Sequence, residues 1–206
     1  MNCSRKRGPY AGFSMIELMV TLTVAAIIIG AAVPNLRNFL QNNRLTSAAN
    51  DLLHSIQTAR SEAIKRQSGP AVVCATANPT AADNALVCSY GAFRGWIVFA
   101  DTNGNWQHDA GEAVIEKHGL VDASLTVRTN GSGIRSYDVT GFANANLPPG
   151  VVQTTNVVFC DVRGNHAIGA DSTARAAYIA RTGRAWVTKN GTDVTNALVA
   201  IGAGCP

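Results

Sequence analysis

One apolar run near the N-terminus constrains this chain more than any other feature of its sequence. Residues 18–33 carry no charge, and apolar neighbours extend the run to roughly 20 residues, which is long enough for a helix to span a bilayer. Arg5, Lys6 and Arg7 precede it, and basic residues in this position keep that end in the cytoplasm. Glu17 lies within the apolar segment. A carboxylate there is costly in lipid, so it needs a partner.

Two simpler interpretations of this segment are a secretory signal and a plain membrane anchor. A secretory signal has a small-residue cleavage site after its apolar region, and GAAVPN at residues 30–35 fits one. The helical pattern continues beyond Pro34, however, and Gly12-Phe13 offers a different cleavage site before the run. A plain anchor leaves Glu17 unexplained.

The residues after Pro34 predict an amphipathic continuation of the same helix. Small and apolar side chains recur at spacings of three and four, which indicates one buried helical face; they are Leu45, Ala48, Ala49, Leu52, Ile56, Ala59 and Ala63. Gly69 and Pro70 end the pattern. We therefore expect one helix from about Ser14 to Gln67, kinked near Pro34.

The remaining residues, 70–206, predict an antiparallel β domain. Seven short runs are rich in β-branched or aromatic residues, and turns containing Gly, Asn, Asp or Pro separate them; the runs are AVVCATA, RGWIVFAD, EAVIEKH, SLTVRTN, TNVVFCD, ARAAYIAR and RAWVTKN. The expected fold class is therefore α+β, with a long N-terminal transmembrane and amphipathic helix packed on an antiparallel β-sheet head.

The N-terminal segment also carries a family resemblance. GFSMIELMVTLTVAAIIIGAAVPNLRNF, residues 12–39, resembles the class III signal of type IV pilins and type II secretion pseudopilins. The resemblance implies that a prepilin peptidase cleaves between Gly12 and Phe13 and that Phe13 is then N-methylated. It further implies that Glu17 pairs with the N-terminal amine of a neighbouring subunit, and it assigns the family's proline to Pro34.

Three segments of the head resemble one group within this family. RGWIVFADTNGNWQHDAGE, FCDVRG and YIARTGRAWV are similar to segments of the FimT/GspH minor pilins and pseudopilins. The implied architecture is the type IV pilin fold, with a cleaved leader at 1–12, a transmembrane part of the helix at 13–36, an amphipathic part at 37–67 and a head at 70–206.

The same resemblance implies a location, partners and a function. The chain would be a single-pass protein of the bacterial inner membrane, with its head in the periplasm, or outside the cell once it is assembled in a pilus. Its partners would be prepilin peptidase and other pilin or pseudopilin subunits. The expected function is that of a minor type IV pilin that helps to initiate or build a pilus. A minor pseudopilin of a type II secretion system shares every one of these features.

DNA binding in natural transformation is a third hypothesis. The formal net charge of +4 supports it little, because removal of residues 1–12 leaves 14 basic and 13 acidic residues. Residues 163–206, however, carry five basic and two acidic residues. DNA-binding members of the FimT group have a Gly-Arg-x-Arg motif, which Gly183 and Arg184 match and Trp186 interrupts.

This partial match implies a DNA site at the C-terminal strand. Its residues would be Arg181, Arg184, Trp186 and Lys189, because arginines can contact phosphates and an exposed tryptophan can stack on an unpaired base. The alternative is that Trp186 belongs to the core and that the arginines form a solvated strand edge.

Four cysteines follow the apolar run and predict disulfides in an oxidising compartment. They allow three pairings, of which local loop closure favours Cys74–Cys88 and Cys160–Cys205. A zinc site is disfavoured, because the sequence has no CxxC motif and no clustered histidines.

The polar segment DTNGNWQHDAGE at residues 101–112 has two interpretations. Its oxygen-bearing residues follow the ligand spacing of an EF-hand calcium loop; they include Asp101, Asn103, Asn105, Asp109 and Glu112. Trp106 replaces the required glycine, however, which favours a hairpin loop whose side chains bond their own backbone. We expect no cofactor and no enzymatic activity, since the histidines are scattered and nucleophile, phosphate-loop and metalloprotease motifs are absent.

Overall fold

The computed structural model of this chain describes residues 12–89, 93–146 and 148–206. Its helices and strands, in chain order, are α1 (Met15–Arg66), β1 (Ala71–Thr76), β2 (Gly95–Ala100), β3 (Val114–His118), β4 (Thr126–Thr129), β5 (Ile134–Tyr137), β6 (Asn156–Cys160), β7 (Ala167–Ile168), β8 (Asp171–Ile179), β9 (Ala185–Asn190) and α2 (Gly191–Ile201). The single long N-terminal helix is confirmed. The leader expected at residues 1–12 lies, apart from Gly12, outside the described residues.

The chain divides into two compact units, one that ends at Leu40 and one that comprises Gln41–Pro206. Helix α1 contributes to both of them. In the first unit α1 continues through Pro34, and the kink expected there stays a prediction.

Two antiparallel sheets form the head. The first has the strand order β3-β2-β1-β5; in the second, β4-β6-β8 are neighbours and both β7 and β9 pair with β8. The seven predicted runs coincide with β1, β2, β3, β4, β6, β8 and β9. Strands β5 and β7 were not predicted. The expected α+β class is confirmed.

The buried face of α1 within Gln41–Arg66 is the predicted one. All seven predicted residues are buried, and they share one apolar cluster with inward-facing residues of both sheets, among them Val73, Val98, Val157 and Phe159. Ser55 belongs to the same face, where its hydroxyl accepts a bond from Trp96 Nε1 at 2.8 Å and donates one to Glu116 at 2.6 Å. The amphipathic helix therefore packs against the head as expected.

A different segment of the chain packs on the opposite face of each sheet. In the first sheet, Val72 and Phe99 pack against the loop residues Leu86 and Trp106. In the second sheet, an alternate set of side chains packs against α2; the set comprises Val158, Cys160, Ala174 and Ala176. Because side chains alternate along a strand, both faces of these strands are buried.

Helix α2 was not predicted, because the Asn190-Gly191 sequence is also typical of a turn. Asn190 does end β9, but its side chain also accepts bonds from the backbone N–H groups of Thr192 and Asp193, which begins the helix. Val194, Ala197 and Leu198 then form a buried face at helical spacing. Gly202 ends the helix with a left-handed backbone, φ 72°.

Candidate functional site

The first unit exposes an apolar helix. All residues from 12 to 40 are exposed in the isolated chain, and α1 is long and apolar enough to cross a membrane by length and composition. A continuous apolar surface of this size marks a site that lipid or other protein chains cover.

Ser14 and Glu17 define the start of α1. The Ser14 hydroxyl accepts a bond from the Glu17 backbone N–H at 3.3 Å, and the Ser14 carbonyl accepts one from Leu18 at 3.1 Å. Ser-x-x-Glu is the sequence of a capping box, and the positive end of the helix dipole favours an acid there. The Glu17 carboxylate makes no bond to any other described residue, so the helix start explains the position of the acid without giving it a partner.

Gly12 and Phe13 lie just before α1 and are both exposed. A Cβ atom at Gly12 would meet no other atom within 4 Å. The chain itself therefore does not require a glycine at this position. Any requirement must come from a partner that acts on the segment.

The four cysteines after the apolar run form the two pairs favoured by loop closure. Cys74 of β1 is joined to Cys88, and Cys160 of β6 to Cys205, with Cα atoms 5.6 Å apart in each pair. In each disulfide, the strand cysteine lies on the sheet face away from the main core, and its partner lies in the segment that covers that face. The disulfides are thus placed to hold the covering segments of the head.

The carboxylates of the loop at residues 101–112 bond mainly to backbone N–H groups of the loop. Asp101 accepts bonds from Gly104 at 2.7 Å and Trp106 at 2.9 Å, and Glu112 accepts bonds from Thr102 at 2.7 Å and Asp109 at 3.1 Å. The Asp109 carboxylate accepts side-chain bonds; its donors are the amides of Asn103 and Asn105. The arrangement matches the self-bonded hairpin interpretation.

Burial and hydrogen bonds shift the pKa values of two carboxyl groups in this loop. It raises the pKa of Asp101, while hydrogen bonds from Asn103 and Asn105 lower the pKa of Asp109. Trp106 is fully buried with φ 64°, a backbone region that bulky residues rarely adopt. Among the described residues, no group of three or more histidines, cysteines or acids is placed to hold a metal ion.

The DNA-site candidates lie around the hairpin of β8 and β9. Gly183 in its turn has φ 81°, and a Cβ atom there would lie 2.5 Å from the Gly141 carbonyl oxygen. Ala185 and Val187 face the main core, which puts Arg184 and Trp186 on the other face of the strand, as the alternation predicts. Arg181 and Arg184 are both exposed.

Trp186 is not a core residue. It is 41% exposed and stacks on Tyr178, with ring centroids 5.3 Å apart and ring planes 11° from parallel. The Arg184 guanidinium lies 6.0 Å from the centre of its ring. The interpretation of Trp186 as core is therefore wrong, and its ring is partly exposed to solvent.

Much of the positive charge of residues 163–206 is already engaged. Lys189 pairs with Asp171 at 2.6 Å, and Arg163 pairs with the buried Asp161 at 2.6 Å. The buried guanidinium of Arg175 donates to backbone carbonyls; these belong to Ser172, Thr173 and Ala174. Among the described basic residues of this segment, Arg181 and Arg184 are the exposed ones without an ion pair.

The sequence comparisons agree with the architecture. The family described as "Type II transport protein GspH" matches residues 48–183, more than half of the chain. The chain belongs to the GspH family. The prokaryotic N-terminal methylation motif matches residues 7–33 of this GspH-family chain, which makes it a pilin- or pseudopilin-like protein. No curated protein matches it significantly.

A solved structure is also similar to this GspH-family chain. It is the crystal structure of the type IV minor pilin FimU from Pseudomonas aeruginosa, at 23% sequence identity and a TM-score of 0.46. The likeness covers 75% of this chain and 94% of the FimU chain.

Two features near the candidate sites were not predicted from the sequence: the bond of Ser14 at the helix start and the burial of Arg135. Ser14 could have been recognised from the Ser-x-x-Glu spacing before the apolar run. Arg135 could not, because a lone arginine within IRSY gives no sign that it is buried, although it is only 3% exposed.

Proposed function

We propose that this chain is a minor type IV pilin, a single-pass inner-membrane protein whose helix α1 assembles with the helices of other pilin subunits. Prepilin peptidase cleaves it between Gly12 and Phe13 and methylates Phe13. Its head lies in the periplasm until assembly, when the subunit helps to initiate or build a pilus. The methylation motif and the family match support this proposal.

One observation carries the proposal: the exposed apolar helix contains an acid that has no partner among the described residues. Residues 12–40 expose their side chains, and the Glu17 carboxylate bonds to no described residue. An unpaired acid in a membrane helix is costly. A neighbouring subunit's charged amine would remove that cost, so assembly is favoured over the isolated state.

The experiment for this proposal is a deletion of the gene with complementation. Loss of surface pili and of twitching, with secretion intact, would support the pilus assignment. Complementation by the full chain should restore both, whereas a chain that starts at Gln41 should not, because it lacks the exposed helix. Restoration by the truncated chain would contradict the assembly mechanism.

A minor pseudopilin of a type II secretion system is the second candidate. The family match favours it, because the matched family is described as a type II transport protein. The physics of assembly is the same in both machines, so the deletion phenotype separates them. Loss of secretion with intact twitching would replace the first assignment by the second.

We also propose that residues at the β9 edge contact nucleic acid. The exposed Trp186 beside Arg184 supports it, since an open aromatic face can stack on an unpaired base, worth about 1–3 kcal/mol. Arg181 adds a second exposed charge, whereas Lys189 already pairs with Asp171. Binding through so few charges should be weak, insensitive to sequence and strongly reduced by salt.

This contact can be tested by a gel shift of single-stranded DNA with the full chain in detergent. Arg184→Gln and Trp186→Ala should each weaken the shift at low salt. Arg94→Gln removes one exposed charge from a different loop and serves as the matched control. Equal losses in all three variants, or no shift with the wild type, would remove DNA from the proposal.

A further inference from the structure

A cavity of about 430 Å³ lies beside β5 in the head. Its wall combines two arginines, two exposed apolar residues and two amides; they are Arg135, Arg181, Phe142, Val152, Asn144 and Gln153. No acidic residue belongs to the described lining. The cavity is therefore positively charged on one side and apolar on another.

Arg135 is a buried charge without an opposite charge. It is 3% exposed, and its guanidinium donates to the carbonyls of Thr154 and Ala180. No described carboxylate forms an ion pair with it. The Tyr137 ring lies over the guanidinium, with its centre 5.6 Å from the guanidinium carbon, but this is an aromatic contact and not an ion pair. A buried charge normally has an opposite charge as its partner, so the position favours an anion.

The positive charge of Arg181 is a second reason to expect an anion beside Arg135. Burial lowers the pKa of the Arg135 guanidinium; Tyr137 acts against this shift, and the charge of Arg181 adds to it. Guanidinium groups carry a positive charge in proteins. The two arginines repel each other across the cavity wall, and a bound anion would turn that repulsion into two attractions.

Two buried polar atoms in this wall also lack partners. Gln153 donates its amide N–H to the Asn144 carbonyl, but its Oε1 accepts no bond from the protein, and Arg135 Nε donates none. Both atoms belong to residues that line the cavity, and both are buried, so a ligand would reach them only after a small shift of these side chains. Buried groups of this kind are uncommon in native proteins.

We propose that this cavity binds a carboxylate carried by an apolar residue, as at the C-terminus of a peptide chain. Arg135 and Arg181 hold the carboxylate, since a guanidinium matches its geometry. Gln153 accepts the N–H of the same residue, and Phe142 and Val152 contact its side chain. A phosphate would use the arginines but leave the apolar wall and the amide acceptor unused.

The test uses the full chain in detergent micelles and fluorescence anisotropy of a fluorescein-labelled peptide, Gly-Ser-Gly-Ala-Leu, with a free C-terminal carboxylate. The same peptide with an amidated C-terminus is the matched probe. We expect the acid to bind at least about tenfold more tightly, because charge-assisted bonds are the stronger ones. Arg181→Gln should remove this preference, while Arg184→Gln, which alters an exposed arginine outside the cavity, should keep it.

Gln153→Met provides a second variant, because it removes the amide acceptor and keeps the side-chain length. It should weaken the acid and the amide alike, since both carry the N–H. Equal binding of the acid and amide probes by the wild type, no saturable binding of the acid, or an equal loss in Arg184→Gln would overturn the proposal. Binding of labelled oligothymidine that Arg181→Gln abolishes, with no binding of the peptide acid, would assign the cavity to nucleic acid instead.

Discussion

The two units of this chain differ in whether their side chains find partners within the chain. From Gln41 onwards, buried polar groups largely find partners inside the chain, as when Ser55 links Trp96 to Glu116. From Gly12 to Leu40, the apolar side chains are exposed and the Glu17 carboxylate has no partner among the described residues. The head therefore buries its apolar side chains within the chain, whereas we propose that a membrane and other chains cover the N-terminal helix.

This contrast predicts which property each substitution changes. Substitutions in the first unit should alter processing or assembly without altering the stability of the head. Substitutions in the second should alter stability without altering processing. Each of the following experiments can break that separation.

The largest effect is expected from Gly12→Leu, which should block processing almost completely. The chain has open space around this residue, so the larger side chain acts only on the fit to the peptidase. Immunoblots should show a precursor that is 12 residues longer than the mature chain. Gly30→Leu, at a second glycine with open surroundings, is the matched control and should be processed normally. Normal processing of Gly12→Leu would refute the site.

Leu52→Ala should lower the free energy of unfolding of the head by about 2–5 kcal/mol, because it leaves a cavity in the core. Leu52 is 2% exposed and belongs to the cluster that joins α1 to both sheets. The same substitution at the exposed Leu22 is the control and should leave this stability unchanged. Denaturant unfolding of the full chain in detergent measures both, and similar effects of the two would contradict the division into units.

Removal of the disulfides should cost stability according to loop length. In the chain-entropy account, the Cys160–Cys205 bridge contributes about 4 kcal/mol and the Cys74–Cys88 bridge about 3 kcal/mol, since their sequence separations are 45 and 14. Paired Cys→Ser variants compared by thermal unfolding measure the difference. Mass spectrometry of a non-reduced digest checks the pairing, and a Cys74–Cys160 linked peptide would contradict it.

The smallest effect concerns the end of α1, where bonds from Arg66 and then Lys65 lower the pKa of Glu62. This pKa is lower in the folded chain than in the unfolded chain. The ionised Glu62 therefore stabilises the fold above the pKa of the unfolded chain, and this stabilisation is lost as the pH falls through the pKa of the folded chain. Glu62→Gln should therefore cost less than about 1 kcal/mol at pH 6, and progressively less as the pH falls below the ordinary pKa of a glutamate. A difference independent of pH would contradict the ion-pair account.

The parts of the fold that were predicted are those with a strong periodic signal. The spacing of Leu45, Leu52 and Ile56 identified the buried helical face, and β-branched runs identified seven strands. Strand β5 was missed because IRSY contains Arg135 and Ser136, two polar residues whose burial depends on distant contacts. Helix α2 was missed because Asn190 is a turn former and a helix cap at once.

Site prediction was limited in the same physical way. The register of Gly12, Glu17 and Pro34 is local, so a sequence can display it. The exposure of Trp186 and the partner of Lys189 arise from chain segments that meet only in the fold. Net charge along the sequence therefore overestimates the free positive charge at the C-terminal edge.

We propose that another subunit supplies the partner of the Glu17 carboxylate, and the variant Glu17→Gln is the decisive test. The substitution removes the charge and keeps the size, while Glu62→Gln on the same helix serves as the control. We predict unchanged membrane insertion and head stability, but at least a tenfold loss of the subunit from sheared filaments, since breaking a buried ion pair costs about 3–5 kcal/mol. Wild-type incorporation of Glu17→Gln, or an equal loss in Glu62→Gln, would contradict the account.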